Sequence, residues 1–403
     1  TGVMVWKQGV LVCTAPDVMY AEDTTGDGKA DIQKKILTGF ATHNYQARVN
    51  SLVPGLDNWV YASGGLFGGI IQSFNGQTVN VTNRDFRFQP ETGVLEPVSG
   101  RTQQGRVRDD WGNWFGCRNG TLCVHYPVNE TYFQKNPYVS SPPPEVSIPQ
   151  GENANQLFPV GELVQFHLSG QRGRPTSACG LGLYRDNELG KSFYGNAFIC
   201  EPVNQLVHRL VVKPEGVTFS GLRAPEEQER DFLTSTDNWF RPVQARTAPD
   251  GSLLIVDMYR YLIEHPKFLS PEAVQKLNVR AGETRGRIYR ISAKDQICQP
   301  VPDLKQLPTQ ELTQLLNSAN GTLRDMVQQE LILRGDKKAV PSLSKLASDG
   351  ALPQSRLQAL CTLDGLQALT PDVLLPRINE QDPGVRRESL RLAEPFLKQS
   401  EKL

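Results

Sequence analysis

The sequence lacks the long hydrophobic runs and the charge imbalance that characterise several common classes of protein. No apolar stretch approaches the roughly 18 residues that span a bilayer, and the N-terminal residues show no secretory signal pattern. The chain has 43 basic and 43 acidic residues, so its net charge gives no electrostatic reason to expect nucleic acid. The sequence therefore predicts neither a membrane span nor a nucleic-acid partner.

The seven cysteines lack the spacing of a metal or redox site. An odd number without any C-x-x-C pair argues against a zinc ribbon, a thioredoxin-type site or a disulfide scaffold. There is no C-x-x-C-H sequence either, so no c-type haem is expected to attach covalently to this chain. Cys13, Cys117 and Cys200 follow equivalent turns, and we expect them to be small buried residues.

Turn formers, by contrast, are abundant, with 35 glycines and 28 prolines. This content is too high for a helical bundle, and 38% apolar residues are too many for a disordered chain. Five times, a turn that contains Gly, Asn or Asp leads into a short apolar segment, at residues 9–13, 58–62, 113–117, 196–200 and 250–256. These segments recur about every fifty residues with one longer interval, which is the size of a propeller blade. We therefore predict an all-β propeller over residues 1–295.

The composition changes after Ile291. Residues 303–403 contain almost no aromatic residues, and their leucines recur at helical spacing. Arg324, Arg356 and Arg386 recur about every thirty residues, and each follows a turn that contains glycine or proline. We predict that a helix begins at each of these turns and that the helices pack as a HEAT-type solenoid.

Both ends of the sequence predict an incomplete architecture. Eight residues precede the first turn, fewer than the segments ahead of the later turns, and a propeller must close to remove its sheet edges. We therefore expect a propeller that is six-bladed in the full protein, with its N-terminal part missing here. The helical repeats are likewise expected to be truncated, because a solenoid requires a polar terminal cap.

Several motifs resemble a known family. Segment 235–243, which reads Ser-Thr-Asp-Asn-Trp-Phe-Arg-Pro-Val, and segments 256–260, 23–31 and 112–117 closely resemble the planctomycete-type membrane-bound dehydrogenases, also named haem-binding CxxCH proteins. The resemblance extends over nearly the whole chain. It implies an exported, periplasmic or cell-envelope propeller related to sorbosone and soluble glucose dehydrogenases. HEAT repeats and a cytochrome c domain would follow, and this chain does not contain the latter.

The resemblance also implies an activity. It implies an oxidoreductase that acts on the CH–OH groups of a sugar or polyol, with pyrroloquinoline quinone as the cofactor. Electrons would pass to a cytochrome c domain or protein, and haem c would be confined to that domain. A second interpretation is a non-catalytic scaffold, in which the propeller holds carbohydrate or protein and the HEAT repeats recruit a protein partner. The sequence leaves both interpretations open.

The loop that begins at Asp23 has the ligand spacing of a calcium site. Oxygen-bearing side chains occupy its positions 1, 3, 5 and 9, which are Asp23, Thr25, Asp27 and Asp31. Gly28 stands at position 6, where a sharp turn is required. Thr25 replaces the usual carboxylate, however, and Lys34 stands where an EF-hand has its bidentate Glu. The alternative is a solvated Asp/Gly hairpin without metal.

His43 is the predicted catalytic residue. It lies in segment 42–48, shortly before an apolar strand, and an imidazole suits general-base chemistry because its usual pKa lies near neutral pH. In the sugar dehydrogenases that the chain resembles, a His ahead of an Arg and an apolar strand takes the substrate hydroxyl proton. The alternative is a His that is only hydrogen-bonded in a connection between blades.

Five further side chains are predicted to bind a cofactor or substrate at the mouth of the propeller's central channel: Arg48, Arg108, Asn119, Arg241 and Arg246. A guanidinium binds a carboxylate-bearing cofactor or a sugar acid through two parallel hydrogen bonds. Arg241 immediately precedes a predicted inner strand, whose start faces the central channel. The alternative is that each arginine pairs with an acidic neighbour, such as Asp109 or Asp237.

Overall fold

A computed structural model describes residues 2–129, 132, 138, 144–162, 172–263, 269–296 and 298–398 of the protein. In this part of the chain, five antiparallel sheets form the blades of a propeller, and a region of helices follows them. The prediction of a propeller followed by helices is confirmed, and the described residues form five blades.

The first two blades are interlocked. Blade 1 consists of β1 (Val3–Trp6), β2 (Gly9–Thr14), β3 (Asp17–Glu22) and β4 (Ile32–Phe40). Blade 2 begins with β5 (Asn50–Pro54) and β6 (Val60–Ser63). A hairpin of β7 (Gly69–Ser73) and β8 (Thr78–Asn80) then pairs with β4 and widens the first sheet to six strands. Blade 2 is completed by β9 (Asp85–Phe88) and β10 (Leu95–Val98).

The other three blades follow in chain order. Blade 3 consists of β11 (Val107–Arg108), β12 (Trp114–Arg118), β13 (Thr121–Tyr126) and β14 (Val146–Ser147). Blade 4 consists of β15 (Cys179–Leu183), β16 (Ala197–Glu201), β17 (Leu206–Glu215), β18 (Thr218–Leu222) and β19 (Leu233–Thr234). Blade 5 consists of β20 (Pro242–Thr247), β21 (Leu253–Asp257) and β22 (Arg287–Ile291).

The five turns identified in the sequence each lead into the second strand of a blade. Those strands are β2, β6, β12, β16 and β21. One residue of each turn has a positive φ: Lys7 at 54°, Asn58 at 65°, Gly112 at 76°, Gly195 at 77° and Gly251 at 85°. A tight reversal between antiparallel strands requires this left-handed conformation, which Gly and Asn adopt most readily. The sequence repeat is therefore the hairpin between the first two strands of every blade.

The helices lie mainly in the C-terminal region. Helix α1 (Pro271–Lys276) precedes β22, and the others are α2 (Thr309–Leu315), α3 (Gly321–Arg334), α4 (Val340–Asp349), α5 (Pro353–Gly365), α6 (Pro371–Ile378) and α7 (Pro383–Ala393). Short 3₁₀ helices are Lys191–Phe193, Pro225–Glu227, Leu304–Gln306, Lys337–Ala339 and Glu394–Phe396. Helices α2 to α7 pack as three consecutive pairs. No helix in the described ranges has the length and hydropathy needed to cross a membrane.

The three predicted helix starts are confirmed, because α3, α5 and α7 begin at the turns named above. In each helix the recurrent arginine donates to backbone carbonyls five or six residues earlier: Arg324 to Ser318 and Ala319, Arg356 to Gly350, and Arg386 to Glu380 and Gln381. A carbonyl in a turn has no partner within a helix, so a side-chain donor satisfies it. The arginine repeat therefore holds each connecting turn against the helix that follows it.

Separate apolar cores fill the spaces between blades and between helices. Blades 1 and 2 enclose one core, blades 3 and 4 enclose another, and a third lies between blades 4 and 5. The helical core also takes in Leu56 and Trp111 from turns of the propeller. Cys13, Cys117 and Cys200 are buried and their thiols are free, which confirms the prediction for these positions.

Candidate functional site

The propeller has two different faces. We name as the loop face the N-terminal ends of the inner strands β1, β5, β11, β15 and β20, together with the connections between blades. The helix face is formed by the C-terminal ends of these strands and the turns that follow them. Helices dock there through hydrogen bonds from Asn58 to the carbonyl of Cys361 (3.2 Å) and from Arg387 to Asn113 (2.7 Å). The helical region therefore covers one end of the central channel.

His43 lies on the loop face, in the connection from β4 to β5. Its side chain is exposed, and its ring packs against Phe67 with 4.4 Å between the ring centroids. Arg48, in the same connection, donates to the carbonyl of Thr42 (3.0 Å) and lies over the ring of Tyr45 at 4.2 Å. The Nε atom of Arg48 is buried and has no hydrogen-bond partner. One loop thus carries an exposed imidazole and a half-buried guanidinium.

Asn119 also lies on the loop face, at the turn between β12 and β13. Its backbone amide donates to the side chain of Gln103 (3.1 Å), and its carbonyl accepts from the amide of Ala178 (3.1 Å). The backbone of Asn119 therefore links the connections that lead into blades 3 and 4. Its side chain is exposed.

Arg241 lies at the start of β20 but is fully buried. Its guanidinium donates to the carbonyls of Pro202 (2.7 Å), Arg260 (2.9 Å) and Tyr261 (2.9 Å). Burial lowers the pKa of Arg241 to about 10, although Asp257 partly opposes this shift. The three guanidinium nitrogens are directed at the backbone, so Arg241 holds chain segments together and does not face a cofactor.

Arg108 belongs to a buried cluster of charges at the helix face. It contacts Asp325 of α3 at 2.7 Å, and Arg185 contacts the other oxygen of that carboxylate at 2.6 Å. Asp110 accepts from Arg185 at 2.7 Å and contacts Arg324 at 2.6 Å. Three guanidinium groups therefore surround two carboxylates where the helices meet the propeller.

The cluster keeps both of its carboxylates ionised. Burial by itself raises the pKa of a carboxyl, but the charges of Arg185 and Arg324 outweigh burial and lower the pKa of Asp110 to about 2. Arg108 and Arg185 lower the pKa of Asp325 against burial in the same way. Arg108 is thus paired with an acid from the helices, which is the alternative that the sequence left open, although its partner is distant in the chain.

A cavity of about 550 Å³ lies in the central channel, next to the helix face. All five inner strands and helix α3 line it. Arg246 of β20 lines this cavity, and its side chain is exposed. Desolvation by the surrounding protein lowers its pKa. Within the described residues its guanidinium has no hydrogen-bond or ion-pair partner.

The loop from Asp23 forms a network of its own hydrogen bonds between β3 and β4. The Asp23 carboxylate accepts the amides of Gly26 and Gly28, both at 2.7 Å, and these bonds lower its pKa. Asp27 and Asp31 accept other amides of the loop. Across the described ranges, no group of three or more His, Cys, Asp and Glu side chains is placed to hold a metal. The loop is therefore a hydrogen-bonded turn in this conformation, and calcium binding by Asp23, Thr25, Asp27 and Asp31 stays a prediction.

The side chains predicted for catalysis and binding do not form one site. His43, Arg48 and Asn119 lie on the loop face, whereas Arg108 and Arg246 lie toward the helix face. Sequence reasoning did not identify Asp325, the acid that pairs with Arg108 from 217 residues away. The local sequence offers one signal for this role, which is that Asp325 directly follows the recurrent Arg324 near the start of a helix.

Comparisons with known proteins identify a family and several similar folds. A family model described as "Domain of unknown function (DUF7133)" matches residues 1–295. No curated protein matches the sequence significantly. The matching solved structures include the soluble aldose sugar dehydrogenase of Escherichia coli, at 13% identity and a TM-score of 0.33, with 63% of this chain and 73% of that chain covered.

Two other structures cover more of the chain. Virginiamycin B lyase from Staphylococcus aureus has 12% identity and a TM-score of 0.34, with 75% of this chain and 71% of that chain covered. A luciferin-regenerating enzyme has 8% identity and a TM-score of 0.39, with 73% of this chain and 77% of that chain covered. At these identities the likeness concerns the fold.

Proposed function

This chain belongs to the DUF7133 family, and we propose that its propeller oxidises an alcohol group of a sugar or polyol on the loop face. The observation that carries the proposal is the exposed imidazole of His43 on the loop face, in the same connection as Arg48. Oxidation of an alcohol needs a group that accepts the hydroxyl proton, and it benefits from a positive group that orients the substrate.

His43 is the proton acceptor in this proposal. The substrate loses its hydroxyl proton to the imidazole and a hydride from the same carbon to a two-electron oxidant, so the alcohol becomes a carbonyl. Phe67 supports one side of the His43 ring and leaves an accessible edge for the substrate.

A quinone bound at the loop face would supply the two-electron oxidant. Arg48 fits the role of holding a carboxylate of such a group, because its side chain is only half-buried and a guanidinium binds a carboxylate through charge-assisted hydrogen bonds. The exposed amide of Asn119 is a second donor on this face. Arg241 does not fit, because its guanidinium nitrogens already donate to three backbone carbonyls.

We further propose that the electrons pass to a c-type cytochrome, as a domain or as a separate protein, in the periplasm or at the cell envelope. The sequence resemblance described above supports both proposals. Fractionation of the native cells, with the protein detected by antibody in each fraction, tests the location. Recovery in the cytoplasmic fraction alone would contradict it.

The activity is tested by incubating the protein with pyrroloquinoline quinone, Ca²⁺ and a panel of aldoses and polyols, and by following an artificial dye acceptor. We expect His43→Ala to lower turnover by about 10²–10⁴, the usual contribution of a positioned base. Added imidazole should restore part of the lost rate, because the position is open to solvent. A purely structural role would instead lower the melting temperature, and imidazole would not restore the rate.

Carbohydrate binding without oxidation is the alternative function, and the same panel separates the two. If calorimetry detects carbohydrate binding but no substrate reduces the dye, the propeller binds carbohydrate and is not a dehydrogenase. If His43→Ala leaves dye reduction unchanged, the protein is still a dehydrogenase, but His43 is not its catalytic base.

A further inference from the structure

We propose that the cavity next to the helix face is a second ligand site, which binds a small monocarboxylate with an apolar body through Arg246. Helix α3 and the inner strands line the cavity. It lies at the opposite end of the channel from His43, so the site does not depend on the oxidation proposed for the loop face.

The first argument for this site is the charge that remains in the cavity. The other charged side chains that line it have partners in the described chain: Lys7 with Glu91 (3.3 Å), Arg106 with Asp85 (2.6 Å), Arg185 with Asp325 (2.6 Å), Glu330 with Arg334 (2.7 Å), Lys305 with Gln8 (2.8 Å), and Asp303 with the amide of Lys305 (3.1 Å). Among the described residues, Arg246 has no hydrogen-bond or ion-pair partner, and its side chain is exposed to the space of the cavity. The surrounding protein disfavours its charge by desolvation, so a carboxylate bound in the cavity would be attracted to it.

The second argument is the chemistry of the walls. Val3 and Val5 of β1 line the cavity and keep 58% and 68% of their surfaces exposed, and Leu333 of α3 is exposed beside them. An apolar ligand body would cover these side chains, whereas a sugar or a phosphate would bring hydroxyl or oxygen groups that they cannot satisfy. A volume of about 550 Å³ lies within the usual range for small-molecule sites.

The third argument is that the elements around Arg246 are rigid. Arg246 lies on β20 between Ala245 and Thr247, which are both buried, and Thr247 donates to the carbonyl of Leu183 at 3.1 Å. The floor of the cavity carries Asp325, which two arginines hold in place. A site built on a strand and a helix is positioned before the ligand arrives, which lowers the entropic cost of binding.

The test uses three probes that separate the charge from the apolar body. Octanoate has both features, octanol has the apolar chain without the charge, and acetate has the charge without the chain. Isothermal titration calorimetry with the whole chain should give octanoate an affinity at least about tenfold above either of the other two. In Arg246→Gln the advantage of octanoate over octanol should disappear. Arg280→Gln, which changes an exposed arginine of a loop, is the matched control and should preserve that advantage.

Measurements on the native protein test the proposal even if the Arg246→Gln variant does not fold. In the native protein, equal affinities for octanoate and octanol would remove the role of Arg246, and tight binding of acetate would remove the role of the apolar walls. Melting curves of Arg246→Gln check that it is folded. Should it not fold, Arg246→Lys retains a cation and should retain the preference for octanoate over octanol. Absence of binding by octanoate overturns the proposal.

Discussion

Asp325 of helix α3 accepts a hydrogen bond from Arg185 of the propeller at 2.6 Å, and this buried ion pair joins the two parts of the protein. The other carboxylate oxygen of Asp325 contacts Arg108 at 2.7 Å. Because the pairs are removed from solvent, salt screens them much less than surface pairs. The helical region is therefore fixed on the propeller and forms a constant floor for the central cavity.

Replacing Asp325 by Asn should destabilise the protein strongly. The change leaves buried Arg108 without its counter-charge and leaves Arg185 with Asp110 alone, and breaking a buried pair in this way costs about 3–5 kcal/mol. Urea unfolding followed by tryptophan fluorescence measures the free energy of unfolding. Asp349→Asn, at an exposed position of α4, is the control and should change it by less than about 0.5 kcal/mol. Equal effects of the two substitutions would contradict the importance of the cluster.

Replacing Arg241 by Gln should affect stability and leave ligand binding in the folded protein unchanged. Three backbone carbonyls lose a charged donor, and each buried unsatisfied group costs about 1–3 kcal/mol. We therefore expect a clear fall in the melting temperature. Titration of the surviving folded protein with pyrroloquinoline quinone is the second measurement. A lower quinone affinity with unchanged stability would restore the original interpretation of Arg241 as a cofactor ligand.

Stability should fall as the pH decreases below about 6.5, because of buried histidines. Burial, and to a smaller extent the charge of Arg387, lowers the pKa of His125 from 6.5 to about 4. Between these two values the unfolded chain binds a proton that the folded protein excludes, so the stabilisation is complete above pH 6.5 and decreases toward pH 4. Burial lowers the pKa of His208 as well, with the same sign.

For His125 alone, the loss between pH 6.5 and pH 5 should be about 2 kcal/mol. Urea unfolding at several pH values measures it. His125→Phe keeps an aromatic ring against Phe115 and Phe219 but removes the titrating group, so its stability should depend less steeply on pH. Parallel pH profiles for the two proteins would show that His125 does not contribute.

Calcium should raise the melting temperature if the loop from Asp23 binds it. A ligand that binds only the folded state stabilises that state by mass action. Differential scanning fluorimetry with excess Ca²⁺ or with a chelator measures the shift, and Asp27→Ala should abolish it. Identical melting curves in both conditions would show that the loop is a hydrogen-bonded turn that does not bind calcium.

Much of the fold was predictable because its determinants are local in the sequence. Turns that contain Gly, Asn or Asp before apolar segments located the second strand of all five blades, and the arginine repeat located the starts of α3, α5 and α7. A hairpin turn and a helix start each depend on a few neighbouring residues, so single-sequence patterns report them. The hairpin of β7 and β8, which joins the sheet of blade 1 from within blade 2, has no such local pattern.

The candidate sites were less predictable, and Arg108, Arg241 and Arg246 show why. From the sequence, all three were predicted to bind a cofactor or substrate. In the structure Arg108 pairs with an acid of the helices, Arg241 binds backbone carbonyls, and Arg246 faces a cavity without a partner in the described chain. Whether a guanidinium is occupied depends on groups that folding brings near it.

The sequence by itself determined the succession of hairpins and helices, because hydrophobic periodicity and turn chemistry act over a few residues. Only the tertiary structure decided which charges are paired, since partners such as Arg108 and Asp325 are 217 residues apart and burial sets the energy of their interaction. The same long-range packing divided the predicted residues between two faces of the propeller. Among the described charged side chains that line the cavity, it left Arg246 without a hydrogen-bond or ion-pair partner.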